Sequence, residues 1–85
     1  MDPHALLDRL VHGQVHNVAF ADAQRLVESL GFELDRVRGS HHIYRHPTLR
    51  LRVNRQPQGN KAKPYQLRQV LDLVERHALR LKEEK

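Results

Sequence analysis

His41 and His42 follow the pair Gly39-Ser40, and a third histidine, His46, lies four residues beyond. Imidazole titrates close to neutral pH, so a well-placed histidine can take a proton as a general base. Neighbours on a strand point to opposite faces, so His41 and His42 cannot both serve one site from an ideal strand. Tyr44 shares a face with His42, and Ile43 shares one with His41. If the tyrosine fills the core, His42 turns inward and His41 outward; if Ile43 is the core residue, the roles swap. Either histidine taken singly is more often structural than catalytic. The three histidines match no helical or finger-type ligand spacing, and no carboxylate lies near them in sequence, so neither a metal nor any other cofactor is expected.

The surroundings of these histidines indicate what they could act on. The chain has 15 Lys+Arg against 10 Asp+Glu, a net charge of +5. From Arg36 to Leu71 no acidic residue occurs, and nine of the basic residues fall in that stretch. A segment of one sign suits a polyanion, because each Lys or Arg on a phosphate releases condensed counterions. Cutting RNA without a metal needs a base that takes the 2′-hydroxyl proton as the oxygen attacks its own phosphate, and cations that stabilise the charge of the transition state. The candidate RNA-binding residues are Arg38, Ser40 and Arg45 around the histidines, Arg50 and Arg52 on a third strand, and Lys61 and Lys63. The two lysines feed a helix N-terminus, where free N–H groups and the helix dipole favour a phosphate. With one usable histidine, the leaving 5′-oxygen has no acid partner, and such an enzyme should be slow.

The elements that must hold these residues can be read from periodicity. Ala5, Leu6, Leu7, Leu10 and Val11 predict a short helix stopped by Gly13, followed by a polar connector, Gln14 to Asn17. From about Ala21, the residues Ala23, Leu26, Val27 and Leu30 recur at helical spacing, and Gly31 stands where a glycine ends a helix. Phe32 and Leu34 then alternate with Glu33 and Asp35, as in a half-buried strand. Gly39-Ser40 is a turn, the run His41 to His46 is closed by Pro47, and Leu49, Leu51 and Val53 alternate with Arg50, Arg52 and Asn54. These three runs predict an antiparallel meander. Gln56 to Lys63 reads as a loop, and Pro64 opens a last helix with the stripe Leu67, Val70, Leu71, Val74 and Ala78. Lys82 to Lys85 is expected to fray. The predicted class is α+β, in the order α-α-β-β-β-α, with helices on one face of a three-stranded antiparallel sheet.

Length and composition bound the rest. Eighty-five residues make one domain with a modest core. The absence of cysteine excludes a disulfide scaffold, a thiolate zinc site and a cysteine nucleophile. No apolar run approaches the roughly 20 residues that span a bilayer. The N-terminal stretch lacks the basic and apolar segments of a signal peptide, so the expected location is the cytoplasm, with no membrane partner.

Gly31-Phe32 closing a helix, then Arg38-Gly39-Ser40-His41-His42-Ile43-Tyr44, His46-Pro47 and Tyr65-Gln66-Leu67-Arg68-Gln69-Val70-Leu71, resembles the HicA (YcfA-like) toxin family. The resemblance runs from about Phe20 to Leu79. It implies a double-stranded-RNA-binding-domain-like fold, cleavage of mRNA as an endoribonuclease toxin, and a HicB-like antitoxin that covers the active site. The family's catalytic histidine follows the Gly-Ser pair, which corresponds to His41, with His42 in reserve. The family also favours an aromatic at the position of Tyr44, which implies Tyr44 in the core and His41 on the open face. The expected organisation is an N-terminal helix and connector over 1–16, the HicA-like domain over 17–79 and a tail over 80–85. Two other readings compete with a ribonuclease. One is a non-catalytic RNA-binding module on the same fold. The other, a DNA-binding or protein-interaction domain, lacks a clear recognition helix.

Overall fold

The computed structural model describes residues 1–48, 52–55 and 57–82, with 52–55 and 57 described by backbone alone. Three helices and five short strands follow in the order α1 (Pro3–Val11), α2 (Phe20–Ser29), β1 (Glu33–Arg38), β2 (His41–Arg45), β3 (Arg52–Arg55), β4 (Pro57–Gln58), β5 (Lys61–Ala62) and α3 (Pro64–His77). The class is α+β.

α1 forms because Pro3 presets its first turn and Leu6 and Leu10, one turn apart, face the core. It packs beside α2 and also touches α3. The connector that follows is less polar in effect than its composition suggests. Val15 and Val18 are both buried, so the segment between the helices is pinned to the core rather than solvated. Each such side chain taken from water contributes about 1.5–3 kcal/mol.

α2 begins at Phe20, one residue ahead of the periodic run, and buries Phe20, Ala23, Leu26 and Val27. It ends as the sequence predicts, on Gly31. The Gly31 N–H donates to the Glu28 carbonyl (3.0 Å) and the Phe32 N–H to the Val27 carbonyl (3.3 Å), the paired bonds of a Schellman motif. Gly31 has φ +100°, and a Cβ there would lie 3.1 Å from His46 Nε2.

β2 pairs antiparallel with β1 on one side and with β3 on the other. Gly39, at φ +57°, is the first residue of the two-residue turn between β1 and β2, a position that favours glycine. β1 is not the half-buried strand its alternation predicts. All six residues are exposed, with Leu34 at 47% and Val37 at 50%, because α2 lies against β2 and α3 against β3, which leaves this edge strand bare. The register also slips between Leu34 and Arg36, so Asp35 bulges out of the ladder. On β2, Tyr44 is 2% exposed and its hydroxyl accepts a hydrogen bond from Gln24 Nε2 of α2 at 3.1 Å. Of the third predicted strand, Arg52–Arg55 is observed; Leu49 to Leu51 lie outside the described residues.

The segment read as a loop is a second, smaller sheet. β4 and β5 form a hairpin about Gly59-Asn60, with Gly59 at φ +63°. Its inner strand joins the chain just ahead of α2: the Ala62 N–H donates to the Val18 carbonyl (2.8 Å) and the Phe20 N–H to the Asn60 carbonyl (2.9 Å). These bonds satisfy backbone groups that a buried loop would leave unpaired, and Ala62 is buried as a result. α3 then buries Gln66, Leu67 and Val70, with Leu71 and Val74 partly covered. Ala78 is not part of that stripe. It is exposed and caps the helix with φ 50° and ψ 43°. Beyond it Leu79 and Leu81 pack on the core, and the Lys82 N–H donates to the Ser29 carbonyl at 2.7 Å.

Candidate nucleic-acid interface

Burial of Tyr44 decides which way the two histidines face. His42, two residues before it, shares its face and is half-buried against α2, while His41 is exposed. The His42 ring meets Phe20 edge-on, with centroids 5.1 Å apart and planes at 63°. Its Nδ1 lies 3.3 Å from the Ser40 carbonyl oxygen. A carbonyl only accepts, so this contact puts the proton on Nδ1 and leaves Nε2 as the basic nitrogen of the neutral ring.

His41 begins β2 directly opposite Arg38, across the two-residue turn. Paired residues on adjacent strands share a face with Cβ atoms about 4.5–5.5 Å apart, so the two side chains leave the sheet on the same side. Arg36 is paired with Ile43, and Arg45 lies two residues beyond Ile43, so both project from that same face. Arg36, Arg38 and Arg45 are all exposed. Arg36 is engaged by Asp35, with Nε 3.4 Å from Oδ2. Besides the Asp35 carboxylate on Arg36, Glu33 is opposite Arg45, about 13 Å along the strand from His41. The face away from the helices is therefore strongly cationic around His41.

The other sequence-predicted residues fall elsewhere. Lys61 is exposed on β5, and Lys63 is the N-cap of α3. Pro64 has no N–H, and the Gln66 and Leu67 N–H groups both turn back to the Lys63 carbonyl (3.0 and 3.3 Å), which reduces the donors this helix end offers to a phosphate. Arg52 is opposite Arg45 in the backbone register, its side chain lying outside the described residues, as does all of Arg50. Ser40 is exposed in the turn.

His42 belongs to a different constellation, one that sequence reasoning missed. Ala19, Phe20, Ala21, Gln24, His42, Gly59 and Asn60 line an open hollow of about 450 Å³. The sequence signal for it is the Gly-Asn pair, which marks a hairpin turn, but no periodicity tells that this hairpin folds back on α2. His46 joins neither group. Its ring stands edge-on to Phe32, with centroids 5.3 Å apart and planes at 86°, and its Nδ1 is 3.3 Å from the Thr48 backbone N. Among the described residues, no three His, Cys, Asp or Glu side chains gather as a metal site would require, and no helix is long and apolar enough to cross a membrane.

Comparison with known proteins bears on the same segment. Residues 20–75 match the family model described as HicA toxin of bacterial toxin-antitoxin. No curated protein and no solved structure matches the chain. The matched residues run from the start of α2 into the last turn of α3, enclosing both histidines, the cationic face and the hollow. They make up well over half of the sequence, and the chain belongs to the HicA toxin family, the toxin half of bacterial toxin–antitoxin systems.

Proposed function

We propose that this toxin is a metal-independent endoribonuclease that cleaves mRNA in the cytoplasm, with His41 as general base and a HicB-like antitoxin as its partner. One observation carries the reading: His41 and Arg38 pair across the tip of a tight turn, on an exposed face rich in arginine. The fold is read as double-stranded-RNA-binding-domain-like, with the Gly39-Ser40 turn and the α3 N-terminus as its RNA-facing ends.

In the proposed reaction His41 takes the proton of a 2′-hydroxyl while that oxygen attacks the adjacent phosphorus. The bond to the 5′-oxygen breaks, and that oxygen takes a proton from water. The products are a 2′,3′-cyclic phosphate and a 5′-hydroxyl end. Arg38 lies within reach of the same phosphate and stabilises its non-bridging oxygens as charge develops. Arg45, Ser40, Arg50, Arg52, Lys61 and Lys63 hold the RNA on either side through its phosphates and fix its register. His42 is the alternative base. Its proton on Nδ1 leaves Nε2 free to accept, but only for RNA that enters the hollow beside α2.

The competing reading is a non-catalytic RNA-binding module, favoured because, among the described residues, the strand partner of His41 is Arg38 and not an acid. Inducing the wild type and His41→Ala in a bacterial host separates the two. Growth arrest with loss of full-length messages for the wild type alone supports catalysis. Equal toxicity of the two proteins, or intact RNA despite tight and salt-sensitive association, refutes it.

A further inference from the structure

The hollow beside His42 has a lining suited to a particular ligand. Phe20 and His42 give it aromatic rings, while Gln24 and Asn60 give it amide groups. None of its lining residues is acidic, and Lys61 follows Asn60 directly. Ligand pockets commonly fall within about 300–1,000 Å³, and this one falls inside that range. The polar groups are also oriented. Gln24 spends an amide hydrogen on the Tyr44 hydroxyl, which fixes its amide and leaves Oε1 as an acceptor. His42 spends Nδ1 on the Ser40 carbonyl, which leaves Nε2 as a second acceptor. The Asn60 carbonyl accepts from the Phe20 N–H, which ties the hairpin to the start of α2, and Asn60 itself is exposed.

We infer that the hollow is a nucleobase subsite, which takes one unstacked base of single-stranded RNA next to the phosphate held on the turn. Sequence-specific RNA recognition favours such splayed bases, stacked on aromatic rings and read along their hydrogen-bonding edges. Two acceptors select a base with an exocyclic amino donor, so adenine, cytosine or guanine is bound in preference to uracil. The strand order explains how one RNA reaches both places. His41 and His42 are adjacent and face opposite ways, so a chain crossing the turn can lay a phosphate on one side and a base on the other. The inference rests on the reading of the substrate as RNA, and it assigns the sequence preference to a site other than the general base.

The test uses His41→Ala as a non-cleaving parent and fluorescein-labelled hexamers of adenylate, cytidylate and uridylate, with binding followed by anisotropy. The adenylate or cytidylate hexamer is expected to bind at least about fivefold tighter than uridylate, the low end of what a well-made pair of base-edge contacts supplies. Gln24→Met removes the acceptor, and Ala21→Trp, at an exposed lining position, fills the hollow. Each should bring the ratio close to one while the salt dependence stays unchanged, with circular dichroism as the check on folding. Equal affinities in the parent, or a preference that survives in both folded variants, overturns the subsite. So does a folded Ala21→Trp that binds RNA like the parent but no longer binds the antitoxin, since the occupant is then protein. If the wild type leaves RNA intact while the preference stands, the ribonuclease reading fails and the subsite does not.

Discussion

Replacing Gly31 by alanine should damage this fold far more than the same change at the other turn glycines. At φ +100° the backbone lies outside the regions open to L-residues, and even the tolerated left-handed region costs about 1–2 kcal/mol for a side chain. The new Cβ would also stand 3.1 Å from His46 Nε2, too close for the ring to stay where it is. Moving the ring weakens its edge-on contact with Phe32, worth about 0.5–1.5 kcal/mol. The sum is about 1.5–3.5 kcal/mol, against a total stability of about 4–13 kcal/mol for a chain of this length. In a thermal melt this is a drop of roughly 10–25 °C. Gly59→Ala is the control, since φ is +63° there and nothing lies within 4 Å of the added carbon. It should cost only about 1–2 kcal/mol. Urea titrations of both variants measure the difference as a shift in midpoint at constant slope. Repeating Gly31→Ala in a His46→Ala background should recover about 0.5–1 kcal/mol, because the crowded neighbour is gone. Equal costs at Gly31 and Gly59, or no recovery without His46, would refute the close-approach argument.

Ala78→Gly relieves a left-handed cap and should stabilise the chain by about 1 kcal/mol, raising the melting temperature by roughly 4–8 °C. Tyr44→Phe leaves Gln24 Nε2 without its acceptor and should cost about 1–2 kcal/mol, read in urea titration with the folded spectrum unchanged. Arg38→Ala and Arg45→Ala should each flatten the plot of log affinity for single-stranded RNA against log salt by about 0.7, the share of one phosphate contact. Arg76→Ala, whose guanidinium is paired with Asp72 on α3, should leave that slope unchanged.

Much of this architecture can be read from periodicity because each signal is local. Leu26, Val27 and Gly31 place α2 and its end without any tertiary knowledge, and Gly39-Ser40 places the first hairpin. What could not be read depends on which elements lie over which. Alternation at Phe32 to Asp35 predicts one covered face, yet coverage of β1 is decided by where α2 lies, and α2 lies over β2. Asp35 then bulges, which no pattern of types predicts. Gln56 to Lys63 looks like a loop because two-residue strands are too short to show a period, and its hydrogen bonds go to Val18 and Phe20, some forty residues away. The candidate site follows the same division. The basic residues and the histidines are evident as types, and the facing of His41 and His42 hangs on the burial of Tyr44. The Phe20, Gln24 and Asn60 lining of the hollow depends on three separated segments meeting, so its members carry no mark in sequence.

In the proposed reaction His41 acts as a base without a metal. The direct measurement is cleavage of an end-labelled mRNA fragment by purified toxin in excess chelator, comparing the wild type, His41→Ala and His42→Ala. The wild type is expected to cut and leave 2′,3′-cyclic phosphate ends, and His41→Ala to be slower by about 10²–10⁴-fold, the usual contribution of a general base. Cleavage by His41→Ala at the wild-type rate, or cleavage by the wild type that stops on adding chelator, would contradict it.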